Sequence, residues 1–179
     1  MTINIKSQFP IGKCPTEFNI TAHNIGKWIS IISSFPEDIK RLIKNKSIDE
    51  INYKYRENGW KVKQVIHHCA DSHMNSFIRF KLALTEENPT IRPYFEDRWG
   101  TLIDAHDNDL TSSIALLEGL HKKWVLLLNS LNDKELIRTF IHPENQQKIT
   151  LAENIGIYAW HCEHHLAHIR IGLASGGQF

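Results

Sequence analysis

The sequence predicts an all-α protein, a four-helix bundle with long crossover connections. Four long stretches space their apolar residues at helical period. Proline, glycine and asparagine breakers separate them. Two of the connections are long, which suggests at least one crossover rather than a simple up-and-down series of hairpins.

Residues 1–20 hold Pro10, Gly12 and Pro15 and read as an irregular lead-in. From about Thr21 to Asn45, Ile25, Trp28, Ile29, Ile32, Ile39, Leu42 and Ile43 recur at helical spacing. Pro36 lies inside this span and should kink or restart it, because it lacks an N–H and crowds the preceding turn. A short Ser47-Ile48-Asp49-Glu50 turn follows, then the breaker Asn58-Gly59. The second helix should run from about Trp60 to Leu84, with Val62, Val65, Ile66, Cys69, His73, Phe77 and Phe80 on its apolar side. Pro89 and Pro93 end it. Residues 85–106 read as a connection with packing anchors at Tyr94, Phe95 and Trp99.

The third helix should run from near Asp107 to about Asn129, with Leu110, Ile114, Leu117, Leu120, His121, Trp124 and Leu128 as its stripe. A connection with Pro143 and Asn145 comes next. Thr150-Leu151-Ala152-Glu153 then fits a capping box, which starts the fourth helix. That helix should reach about Leu173, before Gly176-Gly177.

The 179 residues are enough for one domain with its own core, and 1–179 reads as that single domain. Apolar residues are 41% and charged residues 23%, as in globular rather than disordered chains. The formal charge is +1 and no basic run marks a face, so no nucleic-acid partner is expected. The first residues lack the apolar region of a secretion signal, and runs such as Trp124-Val125-Leu126-Leu127-Leu128 are too short to span a bilayer. Cys14, Cys69 and Cys162 are odd in number, widely spaced and without C-x-x-C, which suggests a reduced compartment. These features predict a cytoplasmic protein with no membrane partner.

Histidine is unevenly placed. Of 11, His67, His68 and His73 fall in one short segment and His161, His164, His165 and His168 in another. On the fourth helix Asn154, Tyr158, His161, His165 and His168 form a stripe beside the apolar one, with His164 at its edge. His161 and His165 are one turn apart, so two imidazoles can converge on one ion. On the second helix His68, Ser72, Asn75 and Arg79 share a polar stripe, with Asp71 near its edge. One histidine from that helix and two from the fourth would leave an open coordination position, the pattern of a catalytic site. Asp71 and Asn154 could orient a ligand ring through its other nitrogen. Spacing alone does not choose between His67 and His68, and His164 with His168 is a second i, i+4 pair.

Several named patterns fail. Glu163 stands two residues from His161, so the segment is not H-E-x-x-H. His161-Cys162-Glu163 matches H-x-E of zinc deaminases, but no P-C-x-x-C follows. Glu118-Gly119-Leu120-His121 matches half of a di-iron motif and has no second copy.

Trp60, His68 eight residues on, Asp71 three further and then Arg79 resemble the second-helix signature of the DinB-like superfamily. The stretch from His73 to Pro89, the stretch Tyr158-Ala159-Trp160-His161-Cys162-Glu163-His164-His165-Leu166-Ala167-His168-Ile169, and Pro10-Ile11-Gly12 resemble its YfiT-like branch. The resemblance implies a four-helix bundle and one divalent ion per chain, zinc ahead of nickel, held by His68, His161 and His165. It also implies a homodimer. Members of the branch are provisionally classed as metal-dependent hydrolases acting on small molecules. Thiol transfer, in which a low-molecular-weight thiol is joined to an electrophile, is a related activity. A non-catalytic metal-binding module is the third reading. Asp71, Asn75 and Arg79 are the candidates for proton handling or substrate anchoring, with Arg79 suited to gripping a carboxylate or phosphate.

Overall fold

Chain order runs α1 (Ile5–Gln8), α2 (Ala22–Ile43), α3 (Ile48–Ile51), α4 (Val62–Thr85), α5 (Glu96–Trp99), a 3-10 turn (Asp104–His106), α6 (Thr111–Ser130), α7 (Asp133–Leu136), β1 (Thr139–His142), β2 (Gln147–Thr150) and α8 (Leu151–Ala174). The structure is a computed structural model that describes residues 5–144 and 146–179. Residues 1–4 of the expected lead-in and Asn145 of the expected connection lie outside them.

The long helices α2, α4, α6 and α8 are the four that apolar spacing predicts. α2 packs on α6 and α8, and α4 packs on the same two. Around the core the order is therefore α2, α6, α4, α8. The connections α2–α4 and α6–α8 each cross a diagonal, which is the predicted crossover. Ile32, Phe35 and Ile39 from α2, Val65, Ile66, Cys69 and Phe80 from α4, Leu117 and Trp124 from α6, and Leu151, Ile155, Cys162 and Ile169 from α8 fill the interior without solvent exposure.

Local chemistry explains the ends. Thr21 Oγ1 accepts from the N–H of Asn24 at 3.1 Å and starts α2. Ser47 and Glu50 form a capping box on α3. α6 starts at Thr111 rather than near Asp107. Asp107 accepts from the N–H of Asp109 at 3.0 Å and Asp109 from that of Thr111 at 2.9 Å, which offers the backbone a turn instead of a helix.

Two further expectations change. α2 runs through Pro36 without a restart. The loss is confined to one donor, and the carbonyl it would have served, that of Ile32, takes a hydrogen bond from His121 instead. The connection before α8 holds a hairpin that spacing did not reveal. β1 and β2 pair antiparallel, with Phe140 opposite Ile149. Each strand has four residues, too few for a period-2 pattern to stand out. The 86–95 segment lies along this hairpin, with Ile91 donating to Ile141 O and Ile141 to Pro89 O.

Candidate metal centre

The capping box predicted at Thr150 is formed. Thr150 Oγ1 accepts the N–H of Glu153 at 3.1 Å, and Glu153 Oε2 accepts that of Thr150 at 2.7 Å. This start sets the phase of α8, so that Ile155, Cys162 and Ile169 enter the core while His161 and His165 turn toward α4. Their ring centroids are 4.3 Å apart. The His68 ring from α4 lies 5.5 Å from His161 and 4.9 Å from His165. One ring nitrogen from each of the three lies within 4.8 Å of the others. At that spacing the three imidazoles would hold one divalent ion through a nitrogen each.

The donor set fits a divalent ion chemically as well. Burial pushes His68 down to about 4, with His164 adding to the effect. Burial likewise holds His161 and His165 well below the usual imidazole range, and neighbouring histidines reinforce it. These rings are neutral at pH 7, which is the ligating form.

His67 takes a different course. It is a residue away and so about 100° around the helix. Its Nδ1 meets Ser113 Oγ at 2.7 Å and its Nε2 meets Asp107 O at 3.2 Å, so it ties α4 to α6 and the turn before it. A second trio, His164, His165 and His168, also has nitrogens within 4.8 Å of one another. There both nitrogens of His168 are engaged, Nε2 with Gln8 O at 3.2 Å and Nδ1 with His165 at 3.4 Å.

A cavity of about 400 Å³ opens beside the first trio. Among its lining residues are Arg79, Tyr94, Glu96, Asp97 and Tyr158. Of the three candidates for proton handling or anchoring, Arg79 lines this cavity. Asp71 and Asn75 are not among the lining residues. Asn75 donates to Asp71 O at 2.8 Å. Asp71 is half-buried, and burial together with nearby Asp104 raises its carboxyl to about 6. Asn154 donates to Ser76 Oγ at 3.0 Å rather than meeting a ligand ring. Nδ1 of His161 meets His73 at 3.0 Å and Nδ1 of His165 meets His168 at 3.4 Å instead, while Ser72 Oγ lies 3.3 Å from Nε2 of His161.

Tyr94, Glu96 and Asp97 were not legible as cavity residues. They come from the 85–106 connection, whose aromatic content was its one signal. Gln64 Nε2 holds this connection by donating to Gly100 O at 3.0 Å. Gly100 permits the approach, because a Cβ there would stand 3.1 Å from the Trp60 ring. Trp60 in turn lies 4.8 Å from His68. Lys63, only 5% exposed, also anchors the segment by donating to His106 O and to Asn108 Oδ1 at 2.7 Å.

Fold and site together define a four-helix bundle with three imidazoles converging from two of its helices. The chain belongs to the DinB superfamily, which it matches over residues 33–169. It is 43% identical over 166 residues to YfiT of Bacillus subtilis, covering 93% of each chain; that protein is provisionally named a metal-dependent hydrolase. A relative from Oceanobacillus iheyensis with the same provisional name is 48% identical over 169 residues, covering 92% of this chain and 95% of that one. The solved structure of YfiT, described as a probable metal-dependent hydrolase with an unusual four-helix bundle topology, superposes with a TM-score of 0.89. That match covers 92% of this chain and 94% of that one.

Proposed function

We propose that this chain is a metal-dependent hydrolase of small molecules that uses one divalent ion, zinc ahead of nickel, held by His68, His161 and His165. The observation that carries this reading is the convergence of three neutral ring nitrogens beside a cavity of about 400 Å³. When bound, a divalent ion in such a site polarises a substrate carbonyl or phosphoryl group and makes water nucleophilic near neutral pH.

The chain's own residues supply the rest. Arg79 offers a planar fork to a carboxylate or phosphate of the substrate. Trp60, Tyr94 and Tyr158 shape the cavity and exclude water from part of it. Glu96 and Asp97 are its lining carboxylates. Asp71 adds negative charge near Tyr94.

Three unpaired cysteines agree with a cytoplasmic setting, and no described helix is long and apolar enough to cross a membrane. We also take the chain to be a homodimer. Phe95, Leu102 and Ile103 of the cavity-side connection are 61%, 53% and 87% exposed, apolar area that a second copy would cover.

The test is elemental analysis of purified protein followed by substrate panels. About one equivalent of metal in the wild type, lost in His68→Ala, with ester or amide cleavage that depends on it, is the expected result. Metal-free wild type would overturn the reading. Thiol conjugation without ester or amide cleavage would replace hydrolysis with transfer. Light scattering reads the oligomeric state.

A further inference from the structure

His73, His121 and His168 have no place among the three candidate ligands, yet all three are buried, His73 and His168 against ligand rings and His121 behind His73. They form two hydrogen-bonded chains, and each ends on a backbone carbonyl. The first begins at Ile32 in α2. Pro36 has no N–H, so the Ile32 oxygen lacks its helical donor. Nδ1 of His121 in α6 lies 2.6 Å from that oxygen. A carbonyl only accepts, so His121 carries its proton on Nδ1.

Nε2 of His121 is then a lone pair and accepts from Nδ1 of His73 in α4, 2.7 Å away. Nε2 of His73 is left to accept from Nδ1 of His161 in α8, at 3.0 Å. The chain visits α2, α6, α4 and α8 in the order in which they surround the core. Its consequence is that His161 keeps a proton on Nδ1 and a lone pair on Nε2, where the Ser72 hydroxyl, 3.3 Å away, is a donor.

Each ring is singly protonated, and the surroundings enforce it. His73 is 0% exposed and His121 2%. Phe35 packs against both, at 5.0 Å and 5.7 Å. A second proton on either ring would place an unpaired cation in that interior.

The second chain has the same logic. Gln8 O accepts from Nε2 of His168 at 3.2 Å, so Nδ1 of His168 is a lone pair. It faces Nδ1 of His165 at 3.4 Å. His165 therefore donates from Nδ1 and keeps Nε2 as its lone pair.

We propose that these two histidine chains set the tautomers of His161 and His165 so that both offer Nε2 to the ion. His73, His121 and His168 are positioning residues and not ligands. This rests on the three-histidine reading above. Metal-bound histidines usually donate directly to a carboxylate, a carbonyl or water. Here a neutral imidazole stands between, and the carbonyl that fixes direction lies further along.

The first measurement is the tautomer of each ring, read by 15N-edited NMR of the metal-free protein. His161, His165, His73 and His121 should carry the proton on Nδ1 and His168 on Nε2. A proton on Nε2 of His161 would overturn the proposal. The second is metal affinity by chelator competition in His121→Gln and His121→Phe. Glutamine can donate its amide to Ile32 O and accept from His73, which preserves direction; phenylalanine can do neither.

His121→Phe should weaken metal binding about 10-fold or more and mix the His161 tautomers, while His121→Gln stays close to the wild type in both. Equal losses in the two variants, or unchanged affinity and tautomers in a folded His121→Phe, would overturn it. If His121→Phe does not fold, the spectrum of His121→Gln decides: loss of the Nδ1 proton from His161 counts against the proposal and its retention counts for it. A wild type with the expected tautomers and no metal would sink the metal reading and leave the chains standing.

Discussion

His121 donates to the carbonyl of Ile32 at 2.6 Å, and that carbonyl is the one whose helical donor Pro36 removes. A helix defect in α2 and a buried imidazole in α6 thus satisfy each other. The pairing predicts energetic coupling. His121→Phe leaves a buried acceptor without a partner, at a cost of about 1–3 kcal/mol. Pro36→Ala returns a backbone N–H to the same oxygen. The double variant should be more stable than the sum of the two single effects predicts, by about 1 kcal/mol. Urea unfolding of the four proteins measures this, and strict additivity would refute it.

Metal-free protein should lose stability on mild acidification. Burial lowers His121 from 6.5 to about 4, and His168 likewise. The unfolded chain then binds more protons than the folded one between those values. Stability is full above pH 6.5 and falls as pH drops toward 4, by at most about 1.4 kcal/mol per pH unit per group. Asp71, raised to about 6, works in the opposite direction as a single group. The denaturation midpoint should be lower at pH 5 than at pH 7; an equal or higher midpoint would contradict this.

Arg79→Ala should act on substrate binding. For a substrate carrying a carboxylate or phosphate, loss of the charge-assisted contact should raise KM about tenfold or more, with kcat little changed. A neutral analogue should show no such rise. Steady-state kinetics on the matched pair makes the comparison.

Thr150→Ala should lower stability by about 1 kcal/mol through loss of the cap on α8. Metal content should stay at the wild-type level, because His161 and His165 lie in the interior of the helix. Thermal melting with elemental analysis separates the two effects.

Gly156→Ala should dislodge the lead-in. A Cβ there would stand 2.5 Å from the Phe18 ring. Overpacking of this kind costs about 1–3 kcal/mol. Faster trypsin cleavage after Lys13 than in the wild type would report the displacement, and an unchanged rate would show that Phe18 yields at no cost.

The four long helices and the start of α8 at Thr150 were legible in the sequence, because apolar period and capping chemistry are local. The i, i+4 pair His161 and His165 was legible for the same reason. His68 was chosen over His67 by family resemblance. Its basis is plain in the fold: His67 is occupied by Ser113 and by the backbone of Asp107. The hairpin of β1 and β2 was missed because four-residue strands carry no clear period. Tyr94, Glu96 and Asp97 were missed as cavity residues because nothing local says where a long connection will lie.

By itself, then, the sequence determined which residues share a helix face and where each long helix can begin. Tertiary structure decided the circuit α2, α6, α4, α8, and with it which faces meet. It also decided the use of each ring nitrogen. A histidine has two chemically different nitrogens, and their roles depend on partners such as His73 and Ile32 O that are distant in the chain. Spacing can align imidazoles on a face, but only packing supplies the acceptor that fixes the proton.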